Sequence, residues 1–307
     1  MSASRTMHGT DMDRSAGREQ IDGYIDDLET MWAAFETLYA RLSPADWATS
    51  YGKDWTFADQ PYHLAFFDRV LVAEALEAGE DLPDAERWGM LSQRDIDRWN
   101  AAEFAKRPDD YPVELTLEEM RAARERIRAA VARHTDADLD SRKVFNHFFG
   151  GGFVPLRQGV VMAALHNWGE LSELRHRLGV DGPMPPERVT HASVGMYLSV
   201  MAEFCRPERA RRPFTIAWDL VGPGGGSWTT RVEDGRCAVR EERVERADIR
   251  FRMTPHDFNI VMLRRAVSPP KAMFTGRMKV KGKRKLGTLA KLFPEPDKDT
   301  PILFSVG

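Results

Sequence analysis

The stretch Phe214–Leu220, which reads Phe-Thr-Ile-Ala-Trp-Asp-Leu, decides the fold class because its hydrophobic pattern has a period of two. Every second residue in it is large and apolar, which predicts a β-strand with one buried face. Asp234-Gly235 predicts a hairpin turn between two later strands, and Ile249–Met253 repeats the alternation. Consecutive strands with flanking helices indicate a mixed or antiparallel sheet covered by helices.

Upstream of this stretch the hydrophobic spacing is helical. Apolar residues between Ile21 and Leu42 follow one another in steps of three and four, which marks one helix face. Further helices are predicted from Thr56 to Ala78, from Gln93 to Lys106, after a capping box at Thr116 and Glu119, and from Pro155 to Leu178. We therefore expect an α+β protein of two domains that begins with an up-down four-helix bundle.

The domain boundary is predicted at the proline-rich segment Pro183–Pro186, because proline does not continue a helix. A length of 307 residues also favours about two domains. The predicted organisation is a flexible leader (1–18), a helical bundle (19–182), a linker (183–189) and an α+β domain (190–307).

The composition narrows the class of protein. A net charge of −3 gives no reason to expect a nucleic-acid partner. The two cysteines form no disulfide framework, and no apolar run is long enough to cross a bilayer. These features predict a cytoplasmic protein and leave its oligomeric state open.

Four segments of the α+β region carry a family resemblance: Gly224–Trp228, Glu233–Gly235, Ala247–Ile249 and Ala272–Gly282. In these segments the region resembles the sterol-carrier-protein type-two family. The resemblance implies a tunnel that encloses fatty acyl chains, sterols or similar apolar molecules. The residues predicted to line it are Trp218, Phe251, Phe258, Val261, Met262, Met273, Phe274, Met278, Leu289 and Phe293. For each of them the alternative is ordinary core packing, which is what most apolar residues do.

The segment Lys279–Lys285 belongs to a basic run without an acidic residue. One interpretation is peripheral contact with a membrane through anionic lipid headgroups. The interpretation favoured by the sequence is a solvated sheet edge that lysine protects against pairing with other strands.

Three segments of the helical region carry a second resemblance: Trp55–Ala65, Arg98–Ala102 and His166–Arg175. In these segments the region resembles the DinB-like superfamily, which includes mycothiol-dependent maleylpyruvate isomerases. The resemblance implies a divalent metal ion such as zinc, nickel or iron, with His63, His166 and Glu170 as ligands. Residues i and i+4 share a helix face, and two histidines with one carboxylate are a known metal-binding set.

A helical wheel argues against this metal site. His63 lies among apolar residues that are predicted to face the bundle core. In the last helix of the bundle, His166 projects away from the apolar stripe and Glu170 lies to one side of it, near Glu173 and Arg177. This arrangement predicts a solvated face rather than a pair of buried ligands.

The leading functional hypothesis is the binding or carriage of an apolar small molecule by the C-terminal domain, with the bundle as its partner. The alternative is a metal-dependent transferase or isomerase that uses a low-molecular-weight thiol. A third, weaker hypothesis is an interaction protein whose bundle pairs with a second copy.

Overall fold

The computed structural model describes residues 18–52, 55–78, 92–145, 153–294 and 298–299. Within these residues the chain forms two compact units, one of 18–167 with 298–299 and one of 168–294. The division falls inside a long helix, between Asn167 and Trp168. The predicted leader lies outside the described residues except for Arg18, where the first helix begins.

The first unit is helical and has two short hairpins. Its four main helical segments match the predicted bundle, and the second of them passes through a π-helical segment, Phe67–Ala73. The elements are α1 (Arg18–Tyr39), β1 (Ser50–Gly52), β2 (Trp55–Thr56), α2 (Asp59–Phe66), α3 (Glu74–Ala78), α4 (Gln93–Phe104), α5 (Val113–Arg133), α6 (Asp136–Ser141), β3 (Lys143–Phe145), β4 (Phe153–Pro155) and the first half of α7 (Leu156–Leu178).

The start of α5 differs from the prediction. Pro112 precedes the first helical residue in an extended conformation, so the helix begins at Val113. Thr116 is therefore inside the helix and buried, and it does not cap the end. Glu119 instead accepts a hydrogen bond of 2.5 Å from the Tyr111 hydroxyl group. The prediction of a capping box at Thr116 and Glu119 was wrong because Pro112 sets an earlier start of the helix.

The second unit begins with the end of α7 and continues into α8 (Glu187–Glu203). Gly179 follows α7 with a φ of +63°, as its predicted role at the helix end requires. The Val180 N–H donates to the Arg175 carbonyl at 3.2 Å, which closes the last turn. Because α8 begins at Glu187, its first turn overlaps the predicted linker, 183–189.

The second unit contains a mixed sheet of five strands in the order β7-β6-β5-β8-β9. β5 and β8 are parallel and the other neighbours are antiparallel. Asp234 and Gly235 both have positive φ, which matches the right-handed twist of the β6–β7 hairpin. The elements are β5 (Phe214–Leu220), β6 (Gly226–Glu233), β7 (Arg236–Arg240), β8 (Ile249–Met253), α9 (Pro255–Phe258), α10 (Pro269–Phe274), β9 (Lys279–Lys281) and α11 (Leu286–Leu292).

Aromatic side chains fill the covered face of this sheet. Trp218 on β5 stacks on Phe251 of β8, with ring centroids 4.7 Å apart, and Phe258 of α9 meets Trp218 edge-on at 6.2 Å. The alternation seen in the sequence therefore gives the predicted buried face. Among the described residues, every helix is too short or too polar to traverse a lipid bilayer.

Candidate metal centre

His63 is held by the local structure at the start of α2. The Thr56 N–H and hydroxyl groups both donate to the Asp59 carboxylate, at 2.6 and 2.8 Å. These bonds fix the first turn of the helix, and His63 follows one turn later. Its ring lies between Trp55 and Phe66, each 5.1 Å away between centroids. Aromatic contacts on two sides restrict the orientation of the imidazole.

His166 and Glu170 lie one turn apart on α7. The His166 ring stacks on Phe67, with centroids 3.7 Å apart and planes inclined by 17°. His63, His166 and Glu170 are only 6%, 5% and 2% exposed. The prediction of a solvated His166 and Glu170 was therefore wrong. The helical-wheel prediction assumed that one face of α7 is exposed to solvent, but every residue from Ala163 to Arg175 is buried.

The three side chains converge. His63 Nε2 lies 3.1 Å from His166 Nε2. One ligand atom from each of His63, His166 and Glu170 lies within 4.8 Å of the other two. The division into units falls between Asn167 and Trp168, so the two histidines belong to the first unit and Glu170 follows one turn later on the same continuous helix.

This donor set fits a divalent transition-metal ion. The two Nε2 atoms, 3.1 Å apart, are close enough for both imidazoles to bind one ion at the usual metal–nitrogen distance of about 2.0–2.1 Å. A hydrogen bond between the imidazoles would span the same distance, but it would need a proton on one Nε2, whereas metal ligation leaves both Nε2 atoms unprotonated.

An arginine orients the carboxylate of Glu170. Arg264 Nη2 donates to Glu170 Oε1 at 2.6 Å, and Arg264 Nε lies 3.6 Å from Glu173 Oε2. Gly169 allows this approach, because a Cβ at that position would lie 2.7 Å from Arg264 Nη2. The sequence analysis missed Arg264, which is 94 residues from Glu170. The signal that the sequence offered for a close contact at this point was Gly169, because a glycine inside a helix costs about 1 kcal/mol relative to alanine.

The sequence analysis also missed a buried ion pair between Asp68 and Arg124. Asp68 follows Phe67, and its carboxylate lies 3.6 Å from Arg124 Nε on α5. Burial raises the pKa of the Asp68 carboxyl to about 6, against the opposing effect of the Arg124 guanidinium. Both residues interrupt otherwise apolar helix faces, which was the signal in the sequence.

The residues predicted to line an apolar tunnel have different environments. Trp218, Phe251, Phe258, Val261 and Met278 are buried, whereas Met262, Met273, Leu289 and Phe293 are half-buried. Phe274 at the end of α10 lies on the surface instead, with 93% of its area exposed.

The basic run lies mostly on the surface. Lys279, Lys281, Lys283 and Arg284 are exposed, whereas Lys285 is half-buried and contacts Asp248 at 2.5 Å. On the outer face of the sheet, Lys279 of β9 pairs in register with Arg252 of β8. Two like charges thus lie directly opposite each other, which is an unfavourable cross-strand pair.

Comparison with known families finds one match in each part of the chain. Residues 27–174 match the model of the DinB superfamily, and residues 206–292 match the model of the SCP-2 sterol transfer family. A comparison with curated proteins yields no match.

Two solved structures illustrate the structural likeness. The mycothiol-dependent maleylpyruvate isomerase is 12% identical over 78% of this chain and 87% of that chain, with a TM-score of 0.47. The stereoselective inverting sec-alkylsulfatase Pisa1 from Pseudomonas sp. is 16% identical over 47% of this chain and 25% of that chain, with a TM-score of 0.31.

Proposed function

We propose that this chain is a metal-dependent enzyme. Its residues 27–174 match the model of the DinB superfamily, and its residues 206–292 match that of the SCP-2 sterol transfer family. The metal ligands in this proposal are His63, His166 and Glu170. One observation carries it: three potential ligand atoms lie within 4.8 Å of one another on buried side chains. Two imidazoles and one carboxylate are a known set of ligands for a divalent metal ion, which supports a binding role for this cluster.

A bound zinc, nickel or iron ion would supply Lewis acidity, either lowering the pKa of a coordinated thiol or polarising a carbonyl group. The protein side chains would prepare the site. His63 and His166 offer neutral imidazole nitrogens, and the Glu170 carboxylate offsets part of the positive charge. Arg264 holds that carboxylate in one orientation through its hydrogen bond of 2.6 Å. The stacked ring of Phe67 fixes the plane of His166 and keeps water from that face.

The proposed reaction class is a transfer or isomerisation that uses a low-molecular-weight thiol. The resemblance of the bundle to thiol-dependent members of the DinB-like superfamily supports this class. The donor set supports it as well, because three protein ligands leave coordination positions available to a substrate.

The first test is the metal content of the untagged, full-length protein. After incubation with zinc, nickel or iron and removal of the excess, we expect about one equivalent per chain. His63→Ala and His166→Ala should each lose most of it, since two ligands bind much more weakly than three. His134→Ala is the matched control, because His134 contacts the Leu76 carbonyl and is not in the cluster. A wild-type protein that retains no metal under these conditions would contradict the proposal.

A second measurement tests the thiol. Cobalt can replace these ions and makes the site visible by absorption spectroscopy. Adding a low-molecular-weight thiol to the cobalt-loaded protein should produce a thiolate-to-cobalt charge-transfer band in the near ultraviolet. Adding the corresponding alcohol should not. If the thiol leaves the cobalt spectrum unchanged, the thiol-dependent reaction is excluded while the metal site is retained.

The second candidate function is binding of an apolar small molecule by the C-terminal region. The SCP-2 match over residues 206–292 favours it. The partly exposed apolar residues Met262, Met273, Leu289 and Phe293 are the side chains that such a ligand would contact, since they retain surface to bury.

Displacement of a fluorescent fatty acyl probe tests this second candidate. Phe293→Asp should weaken probe binding about tenfold or more, because a carboxylate disfavours an apolar ligand at that position. Leu115→Asp is the control, since Leu115 is an exposed apolar residue of the first unit. Failure of the wild-type protein to bind any acyl or polycyclic probe would contradict the hypothesis.

A further inference from the structure

Arg175 is a buried arginine near the end of α7, in the second unit. It is only 6% exposed, and its Nε and Nη1 atoms are buried without a hydrogen-bond acceptor among the described residues. Arg177, two residues later, is half-buried and contacts Glu173 at 2.9 Å. The more exposed arginine of this pair thus has the carboxylate contact, and the buried one has unsatisfied donors.

Two further polar side chains of the second unit have unsatisfied atoms, and one of them contacts the residue that follows Arg175. The next residue, His176, lies with its ring 6.4 Å from that of His256 on α9. His256 Nδ1 is buried and has no partner among the described residues. Asn259 follows three residues later, on the same helix face, and is 0% exposed. Both atoms of its amide group likewise lack a partner in the described part of the chain.

The buried acids of this region contact other arginines. Asp257 contacts Arg277 at 2.9 Å, and the Glu173 carboxylate contacts Arg177. Burial lowers the pKa of Arg175, and within the described part of the chain the acid that opposes this effect is Asp181, which is exposed. Burial and, next, the positive charge of Arg175 lower the pKa of His256 to about 4. His256 is therefore neutral at physiological pH, and Arg175 contributes a single net positive charge.

A buried charge without a partner opposes folding, and natural interiors pair such charges or use them to bind. Unsatisfied atoms on Arg175, His256 and Asn259 in the same region indicate that the missing partner is a polar ligand. The planar guanidinium matches the geometry of a carboxylate, which it can bind through two parallel hydrogen bonds.

We infer that Arg175, His256 and Asn259 form a buried receptor for one carboxylate group of a small organic ligand. A monoanion matches the single positive charge of Arg175, whereas a phosphate dianion would leave a buried negative charge. The guanidinium would donate to the carboxylate oxygens, and the Asn259 amide and the neutral imidazole of His256 would complete the polar environment. This receptor depends on neither the metal ion nor an apolar ligand.

Thermal unfolding of the full chain tests the inference. Arg175→Met preserves much of the side-chain volume and removes the charge. Without ligand we expect this variant to melt at least about 2 °C above the wild type, because an unpaired buried charge has been replaced by an apolar group. Benzoate is the carboxylate probe and benzamide is its uncharged counterpart. Benzoate should raise the melting temperature of the wild type but not of Arg175→Met, and benzamide should affect neither.

Two controls show whether the benzoate response arises at Arg175. Arg236→Met removes an exposed arginine of the same unit and should retain the benzoate response. Inorganic phosphate should stabilise the wild type less than benzoate. The inference is overturned if Arg175→Met melts below the wild type, because the guanidinium would then have a stabilising partner within the protein. It is also overturned if benzoate has no effect on the wild type, which would indicate buried water only, or if its effect persists in Arg175→Met.

Discussion

Replacing Glu170 with Gln distinguishes a metal ligand from a carboxylate that only forms an ion pair. The change keeps the shape of the side chain and leaves an oxygen that can accept from Arg264, but it removes the negative charge that a divalent ion requires. Glu173 provides a matched control, since it is also buried, lies three residues later on α7 and also lies near Arg264, at 3.6 Å. Glu173 is not among the three clustered ligands.

The expected magnitude follows from binding linkage. We take the loss of the third ligand to weaken metal affinity about 100-fold, which is the upper end of the range for loss of an outer-shell partner. At a metal concentration 100 times the dissociation constant of the wild type, binding stabilises the wild type by about 2.7 kcal/mol and Glu170→Gln by about 0.4 kcal/mol. The difference of about 2.3 kcal/mol corresponds to roughly 5–9 °C in melting temperature for a unit of this size.

The assay is calorimetric unfolding of the wild type, Glu170→Gln and Glu173→Gln, each with a chelator and with the metal at one fixed concentration. The metal-induced rise in melting temperature should nearly vanish in Glu170→Gln and persist in Glu173→Gln. An equal rise in all three proteins would refute the role of Glu170 as a ligand. An equal loss in both variants would show that charge near Arg264, rather than ligation, determines the metal response.

Three other positions give predictions that single substitutions can test. The native pKa of Asp68 is raised from 3.8 to about 6, so its contribution to stability is present below pH 4 and is lost as the pH rises through 6, by about 3 kcal/mol. Denaturant unfolding should show this decline relative to Asp68→Asn, and parallel pH profiles of the two proteins would contradict it. If the exposed ring of Phe274 enters a membrane, Phe274→Ser should reduce binding to anionic vesicles about tenfold, while Leu115→Ser should not. Equal sedimentation of the wild type and Phe274→Ser with vesicles would exclude membrane contact through this ring. Gly225→Ala should lower the unfolding free energy by about 2 kcal/mol or more, because the new Cβ would lie 2.2 Å from the Leu220 carbonyl oxygen; an unchanged denaturation midpoint would contradict this.

Local patterns determined most of the secondary structure. The alternation in Phe214–Leu220 and the turn at Asp234-Gly235 require only neighbouring residues, and the structure has the strand and the hairpin where they were expected. The same holds for α7 and its end at Gly179. Both family resemblances also rest on short segments of sequence, and the family comparisons confirm them.

The environment of α7 was decided by the tertiary structure. A helical wheel predicts a solvent-exposed face from the composition of one helix, but the burial of that face depends on which other elements pack against the helix. Since α7 is covered on all sides over Ala163–Arg175, His166 and Glu170 are buried beside each other despite lying off the apolar stripe. The contact between Arg264 and Glu170 joins residues 94 positions apart, and no periodic pattern encodes such a pairing. The sequence therefore determined which side chains could bind a metal, whereas long-range packing decided that they meet.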